Sequence, residues 1–307
     1  TVWPDSFPRM PTWVLYTVTV AVWGVSWSAM LYQVGVAPEL SIAYRFVMAA
    51  VIMIAFCLAT RRKLIFRARD YGLMVLLGLF LFCANYILFY YAVAYMTTGL
   101  LAVVFSMITV LNMVNSAILF GQRIEGRVAI AAAFGVVGLA LTFWSDIDNM
   151  KEGILIGLGL SLLGTLSASF GNMASIALGR RGVGVVESNT ISMTVGAAGS
   201  FTFAMLHGAS IAYNPAPSYT ISLLFLALFA TVIGFGAFLT LARRIGAARA
   251  AYTSVLFPVV ALALSAWLED YRPHAEAILG VALILIGNVF ALRRAPRPQP
   301  ATAEQRS

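Results

Sequence analysis

RRKLIFRARDYGLMVLLGLFLFCANYILFYYAVA (61–94) sets five basic residues directly before 24 residues that carry no charge. A bilayer's hydrocarbon core is about 30 Å thick and is crossed by about 20 mostly apolar residues rising 1.5 Å each. Residues 71–94 therefore read as a membrane-spanning helix whose basic flank stays at one face. The same pattern recurs in both directions along the chain. Ten such runs are read, near 12–34, 40–59, 71–94, 98–119, 127–144, 153–178, 186–206, 219–241, 247–268 and 274–292. Short connectors separate them, several with turn or charge signals: Ala37-Pro38-Glu39, Arg61-Arg62-Lys63, Gly121-Gln122-Arg123 and Asn214-Pro215. The first run is longer than the apolar region of a signal peptide, so it is read as a retained helix. Residues 1–11 and 293–307 are polar and Pro-rich and are read as tails.

The 307 residues are 61% hydrophobic and 10% charged, with a mean hydropathy of +0.89. Soluble domains are roughly 45–50% apolar and about 25% charged. A soluble enzyme, a nucleic-acid reader and a disordered scaffold are thereby disfavoured. The net charge of +8 is a matter of placement. Of the 20 Lys and Arg, 17 fall in the two tails, in connectors 2–3, 4–5, 6–7 and 8–9, or, as Arg127 and Arg249, in the first three residues of the runs that follow them. The other five connectors hold two, and Arg45 lies inside the second run. Basic loops stay cytoplasmic, so this bias places both tails inside and explains the positive charge without nucleic acid. Trp13, Trp144 and Trp267 fall near span ends, where interfacial tryptophans belong. Cys57 and Cys83 lie within apolar runs and imply no disulfide framework. With His207 and His274 the only histidines, no multi-histidine metal or haem site is expected. No Walker loop is present, so ATP hydrolysis is not expected, and no cofactor is called for.

The chain repeats after about 149 residues. Gln122-Arg123 answers Asp270-Tyr271-Arg272, Gly138 answers Gly287, and Glu39 answers Glu187. A unit of five crossings is odd, so its copy enters the membrane from the opposite face. The expectation is an all-α integral membrane protein, ten transmembrane helices arranged as two inverted five-helix repeats, 12–146 and 147–292. Inverted repeats around a midplane site are a recurring plan of secondary transporters.

Four stretches carry a family resemblance: WGVSWS (23–28), PELSIAYRF (38–46), LFGQR (119–123) and GAARAAYTSVLFPVVALALSAWLED (246–270). The chain resembles the drug/metabolite transporter superfamily in its ten-helix EamA branch, and is similar to amino-acid exporters of the YddG type. The resemblance implies two five-helix bundles around a central cavity, alternating access, and export of amino acids or related metabolites across a bacterial inner membrane. Two departures stand out. The proline expected in the fourth span is absent, with Ile108-Thr109 near its place, whereas the ninth keeps Pro258; and the Glu that often ends the fourth span is Gln122. Unequal halves are expected from this.

Candidate binding residues follow from what a membrane interior penalises. Pro258 has no N–H, so the Ser254 carbonyl four residues back loses its helical partner. A bare acceptor at that depth suits a substrate ammonium, or is met by a neighbouring helix or water. Tyr252 lies two residues before it. Six amides interrupt apolar runs: Asn85, Asn112, Asn115, Asn172, Asn189 and Asn288. Each is either interhelical glue or a cavity residue; Asn85, Asn112 and Asn172 are placed in the cavity. Among the aromatics, Trp27 (sharing a face with Trp23), Tyr86, Phe105 and Phe170 are assigned to its walls, against ordinary packing. Arg45 either anchors the second span, snorkelling outward or pairing with an extracellular carboxylate, or touches substrate. Gly153 and Gly157 are read as a packing pair.

Absences narrow the solute. No Asp or Glu falls mid-span, which argues against proton-coupled export of cationic drugs. No mid-span basic cluster exists, which argues against sugar phosphates. The expected function is facilitated efflux of small neutral or zwitterionic solutes, amino acids including aromatic ones. The carboxylate is expected at Asn or Tyr donors and the ammonium at the Ser254 carbonyl. The expected partners are the solute and membrane lipid, and a monomer is compatible with the plan. The alternatives are multidrug efflux and a membrane-embedded lipid-modifying enzyme, whose usual Asp, His or Lys cluster is missing.

Overall fold

The computed structural model describes residues 10–121, 126–148, 153–245 and 247–292. The tail readings, together with Gln122 and Arg123, lie outside the described residues. Every regular element among the described residues is helical. The ten spans are α1 (Thr12–Tyr32), α2 (Pro38–Ala59), α3 (Ala68–Ala92), α4 (Thr98–Phe120), α5 (Gly126–Asp148), α6 (Ile154–Arg180), α7 (Val185–Leu206), α8 (Pro217–Ala242), α9 (Thr253–Leu268) and α10 (Ala275–Leu292). A four-residue turn, Ala247–Ala250, leads into α9.

Local chemistry sets the ends. Pro38 and Pro217 open α2 and α8, where a missing N–H costs nothing. Gly121 closes α4 at φ +65, a left-handed turn that favours glycine. Eight of the spans are long and apolar enough to cross a membrane by length and composition, and α9 is a shorter apolar helix. Helix α7 has the length, at 22 residues, but carries more polar groups. Most of those groups face neighbours and not lipid. Ser188, Thr190 and Ser192 are buried; Ser192 Oγ donates to the Met74 carbonyl on α3 at 2.8 Å, and Thr190 Oγ1 meets Cys57 Sγ on α2 at 3.5 Å. Trp13, Trp144 and Trp267 are 70%, 62% and 77% exposed, as interfacial rings should be.

The packing closes under exchange of each helix with the one five places later. Helices α5 and α10, α2 and α7, and α4 and α9 each pack on their own counterpart. The α1–α9 contact is mirrored by α6–α4, α3–α7 by α8–α2, and α3–α6 by α8–α1. The repeat is visible atom by atom on the α5–α10 seam. A Cβ at Gly138 would lie 2.6 Å from the Gly280 carbonyl oxygen, and one at Gly287 would lie 3.0 Å from that of Ala131. Residues 131 and 280, like 138 and 287, differ by the repeat length of about 149. Small residues at such crossings let backbones touch where lipid supplies no hydrophobic drive. Gly138→Leu is therefore expected to destabilise the fold by about 2–3 kcal/mol. It should show as a lower midpoint in detergent unfolding, with Val136→Ala, 66% exposed on the same helix, close to wild type.

One expectation is corrected. The fourth and ninth spans, unequal in proline, are interrupted alike: α4 loosens at Ser106–Met107 and α9 is preceded by a break at Ala251–Tyr252. In α4 a side chain from another helix does the work of the missing proline. Asn288 Nδ2 on α10 donates to the Ser106 carbonyl at 3.1 Å, and Ser106 Oγ donates to the Val103 carbonyl at 2.7 Å. Pro258 lies inside the continuous helix Thr253–Leu268. Helices α3 and α8 match too, each widened into π-turns, over Phe80–Ala84 and Phe225–Ile233.

The start of α1 and the end of α10 lie on one face, called here the terminal face; the other is the far face. Arg62 pairs with Glu187 at 2.7 Å and Arg181 with Asp70 at 3.1 Å, and Arg180 caps the Phe120 ring at 4.1 Å, all on the terminal face.

Candidate functional site

A cavity of about 590 Å³ occupies the centre of the bundle, a size that suits a small organic solute. Trp27 anchors its aromatic wall. Its ring centroid lies 5.0 Å from Phe89, 5.5 Å from Phe105 and 6.5 Å from Phe257, the last stacked. Trp23 continues the wall against Phe235 and Phe238 and satisfies its indole N–H on the Ala230 carbonyl at 3.2 Å.

Polar groups gather at two poles. Toward the terminal face, Thr109 Oγ1 and Ser254 Oγ approach to 3.3 Å between α4 and α9, and Asn172 Nδ2 donates to Asn112 Oδ1 at 3.3 Å between α6 and α4. Toward the far face stand Arg45, Asn85 and Tyr86. Among the described residues no Asp or Glu lines the cavity.

The cavity runs to the terminal face, where Arg127 near the start of α5 and Leu292 at the end of α10 line it. The far face is shut. Glu269 at the end of α9 accepts from the Thr98 backbone N–H at 3.1 Å and its hydroxyl at 2.6 Å, a carboxylate on the positive end of α4. Gln33 Nε2 donates to Ser222 Oγ at 3.1 Å, and Tyr219 Oη meets Ser41 Oγ at 2.9 Å. Tyr91 donates to the Glu39 carboxylate.

Seven of the ten residues singled out from sequence line this cavity: Trp27, Asn85, Tyr86, Phe105, Asn112, Asn172 and Ser254. Three do not. Phe170 is 36% exposed and packs on Phe80, because it lies on the outer face of α6. Tyr252 sits in the break before α9, outside the cavity lining. Pro258 is buried inside α9, and it is the preceding Phe257 that faces the cavity. Of the remaining amides, Asn115 is glue, donating to Ser169 Oγ at 2.9 Å. Arg45 lines the cavity, and among the described residues it pairs with no acid.

Phe235 and Phe238 were missed, and the repeat could have found them. A shift of about 149 residues carries Tyr86 to Phe235 and Phe89 to Phe238; it carries Trp23 to Asn172, Trp27 to Ile176 and Phe105 to Ser254, and all ten line the cavity.

Ten membrane helices in two exchanged halves around a solute-sized hollow define an integral membrane transporter, not an enzyme. The chain belongs to the EamA-like transporter family, whose profile matches residues 11–144 and 155–293, once per half. It is 27% identical to a "Probable amino-acid metabolite efflux pump" of Escherichia coli (strain K12), over 91% of this chain and 95% of that protein. It is 23% identical to "Protein PagO" of Salmonella typhimurium, over 91% and 92%. A solved crystal structure superposes with a TM-score of 0.64 at 18% identity, covering 91% of this chain and 95% of the other, which shows the shared fold.

Proposed function

We propose that the protein exports amino acids, aromatic ones included, and related small metabolites from the bacterial cytoplasm by alternating access. The terminal face is the cytoplasmic one, in keeping with the basic bias of its loops, and the membrane is the bacterial inner membrane. The observation that carries the reading is the cavity itself: aromatic walls between two polar poles, with no acid among the described residues lining it, open at the terminal face and shut at the far face.

The two-fold also supplies a mechanism. At the far face α4 and α9 touch: a Cβ at Gly99 would stand 2.7 Å from Ser265 Cβ, and 2.8 Å from Leu262 Cα. Shifted by one repeat of about 149 residues, those positions become 248, 116 and 113. Met113 and Ser116 line the cavity mouth. Closing 248 onto them while parting Gly99 from Leu262 yields the outward-open state. The halves 12–146 and 147–292 exchange roles in that step, and solute shifts the balance only through contacts that differ between the states.

Purified protein in liposomes is expected to catalyse saturable counterflow of L-phenylalanine and L-leucine, and to drive no uphill accumulation under an imposed pH gradient, since no acid among the described residues lines the cavity. Counterflow of dyes but of none of the twenty amino acids would sink the reading in favour of multidrug efflux.

A further inference from the structure

The far pole of the cavity holds a cation that no acid among the described residues neutralises. Arg45 is 5% exposed and lines the cavity. Its neighbours are uncharged: Nε donates to Thr231 Oγ1 at 3.2 Å, Nη2 reaches Tyr86 Oη at 3.5 Å, and the guanidinium lies 4.6 Å from the Tyr86 ring centroid and 5.4 Å from that of Phe46. Among the described residues no carboxylate comes within ion-pair distance of it. The nearest acid on its own helix, Glu39, is six residues away, about 9 Å along the axis, and accepts instead from Tyr91. A guanidinium cannot shed its proton to escape burial, and a buried charge is tolerated when paired. Two of its five N–H groups are engaged in hydrogen bonds and the buried Tyr90 hydroxyl lies beside the guanidinium, which leaves part of the fork to meet a planar oxyanion.

A second observation points to the same place. Asn85 is 4% exposed and lines this pole; its Nδ2 donates to the Leu81 carbonyl at 3.2 Å, while its Oδ1 is buried without a partner. An unpaired donor and an unpaired acceptor thus share one end of the cavity.

We propose that Arg45 binds the carboxylate of the transported solute, with Asn85 Oδ1 accepting from the ammonium on the adjacent carbon. This rests on the amino-acid reading above and deepens it. The two charged groups of an α-amino acid sit on one carbon, so both belong at one pole. The Thr109–Ser254 and Asn112–Asn172 pairs then face the side chain and the exit path. The site selects zwitterions and monocarboxylates and rejects amines that lack a carboxylate.

The test uses the full chain in detergent and liposomes, with 3-phenylpropanoate, its neutral amide 3-phenylpropanamide, and L-phenylalanine as probes. Thermal stabilisation of wild type should need about tenfold less carboxylate than amide. Arg45→Gln should erase that preference, and Arg45→Lys, which keeps the charge but loses the fork, should weaken carboxylate binding about tenfold and leave the amide unchanged. Asn85→Leu should remove any advantage of L-phenylalanine over 3-phenylpropanoate. A wild type indifferent to the carboxylate, or an Arg45→Gln protein with the full preference, overturns the proposal. If Arg45→Gln elutes as aggregate, Arg45→Lys decides: unchanged carboxylate binding overturns it. Carboxylate binding through Arg45 without amino-acid counterflow leaves the anion site standing and refutes the export reading. Counterflow of L-phenylalanine at wild-type rates in Arg45→Gln does the reverse.

Discussion

Liposomes carrying the double variant Gly99→Cys/Ser265→Cys, once oxidised, move solute at less than about one hundredth of the wild-type rate and recover on reduction. Cysteines at these positions need α4 and α9 to part by about 1 Å, since a disulfide holds Cβ atoms about 3.5–4.5 Å apart and the Cβ positions here are 2.7 Å apart. The bond then pins the far face shut. Native thiols stay out of the reaction, because Cys57 and Cys83 are both buried and free. The repeat makes the second half of the experiment. A pair at Met113→Cys and Ala248→Cys, the counterparts of Leu262 and Gly99, joins two helices across the mouth that is open here. It should cross-link only as the terminal face closes, so its yield reports the outward-open population. Full transport with the far face locked would mean that solute does not leave between α4 and α9, and the exchange mechanism would fail.

The fold was legible because a membrane removes most of the alternatives. Backbone groups in lipid must be satisfied within the segment, so each long apolar run had one structure open to it. The odd crossing number then forced the inversion. The least apolar span, α7, was legible only because it was long enough; its Ser188, Thr190 and Ser192 are buried against other helices, which composition alone misreads as polar surface. The interruption of α4 was not legible. The missing proline suggested unequal halves, and the side chain that bonds the Ser106 carbonyl at the interruption is that of Asn288, 182 residues away.

The cavity was legible where chemistry was unusual and illegible where it was ordinary. Asn85, Asn112 and Asn172 stood out as amides in apolar helices, and two of the three meet across the cavity wall with each other or with its edge. Phe170 and Phe89 could not be told apart by type, since one aromatic on a membrane helix looks like another. Their faces differ by helix phase: Phe89 is 2% exposed and touches Trp27, whereas Phe170 looks outward. Arg45 was visible, but its orientation depends on Thr231 and Tyr86, which reach it from α8 and α3. No spacing rule on α2 carries that information.

Ser254→Leu is expected to lower amino-acid counterflow about 100-fold while leaving folded yield unchanged. Ser254 stands where both interrupted helices meet, its hydroxyl donating to the Ala251 carbonyl at 2.6 Å and lying 3.3 Å from Thr109. Leucine there fills the pole nearer the terminal face and strips Thr109 of a polar neighbour, together worth about 2.7 kcal/mol of barrier at 1.36 kcal/mol per tenfold. The fold is spared because the side chain faces the hollow and not a packed seam. Ser254→Thr keeps the hydroxyl and should retain most of the rate, which separates blockage by bulk from loss of the polar group. The comparison with Arg45 is then direct. Ser254→Leu blocks carboxylates and amides alike, since it obstructs the path, whereas Arg45→Gln discriminates between them. A folded Ser254→Leu protein with wild-type counterflow would place the solute's route elsewhere in the bundle.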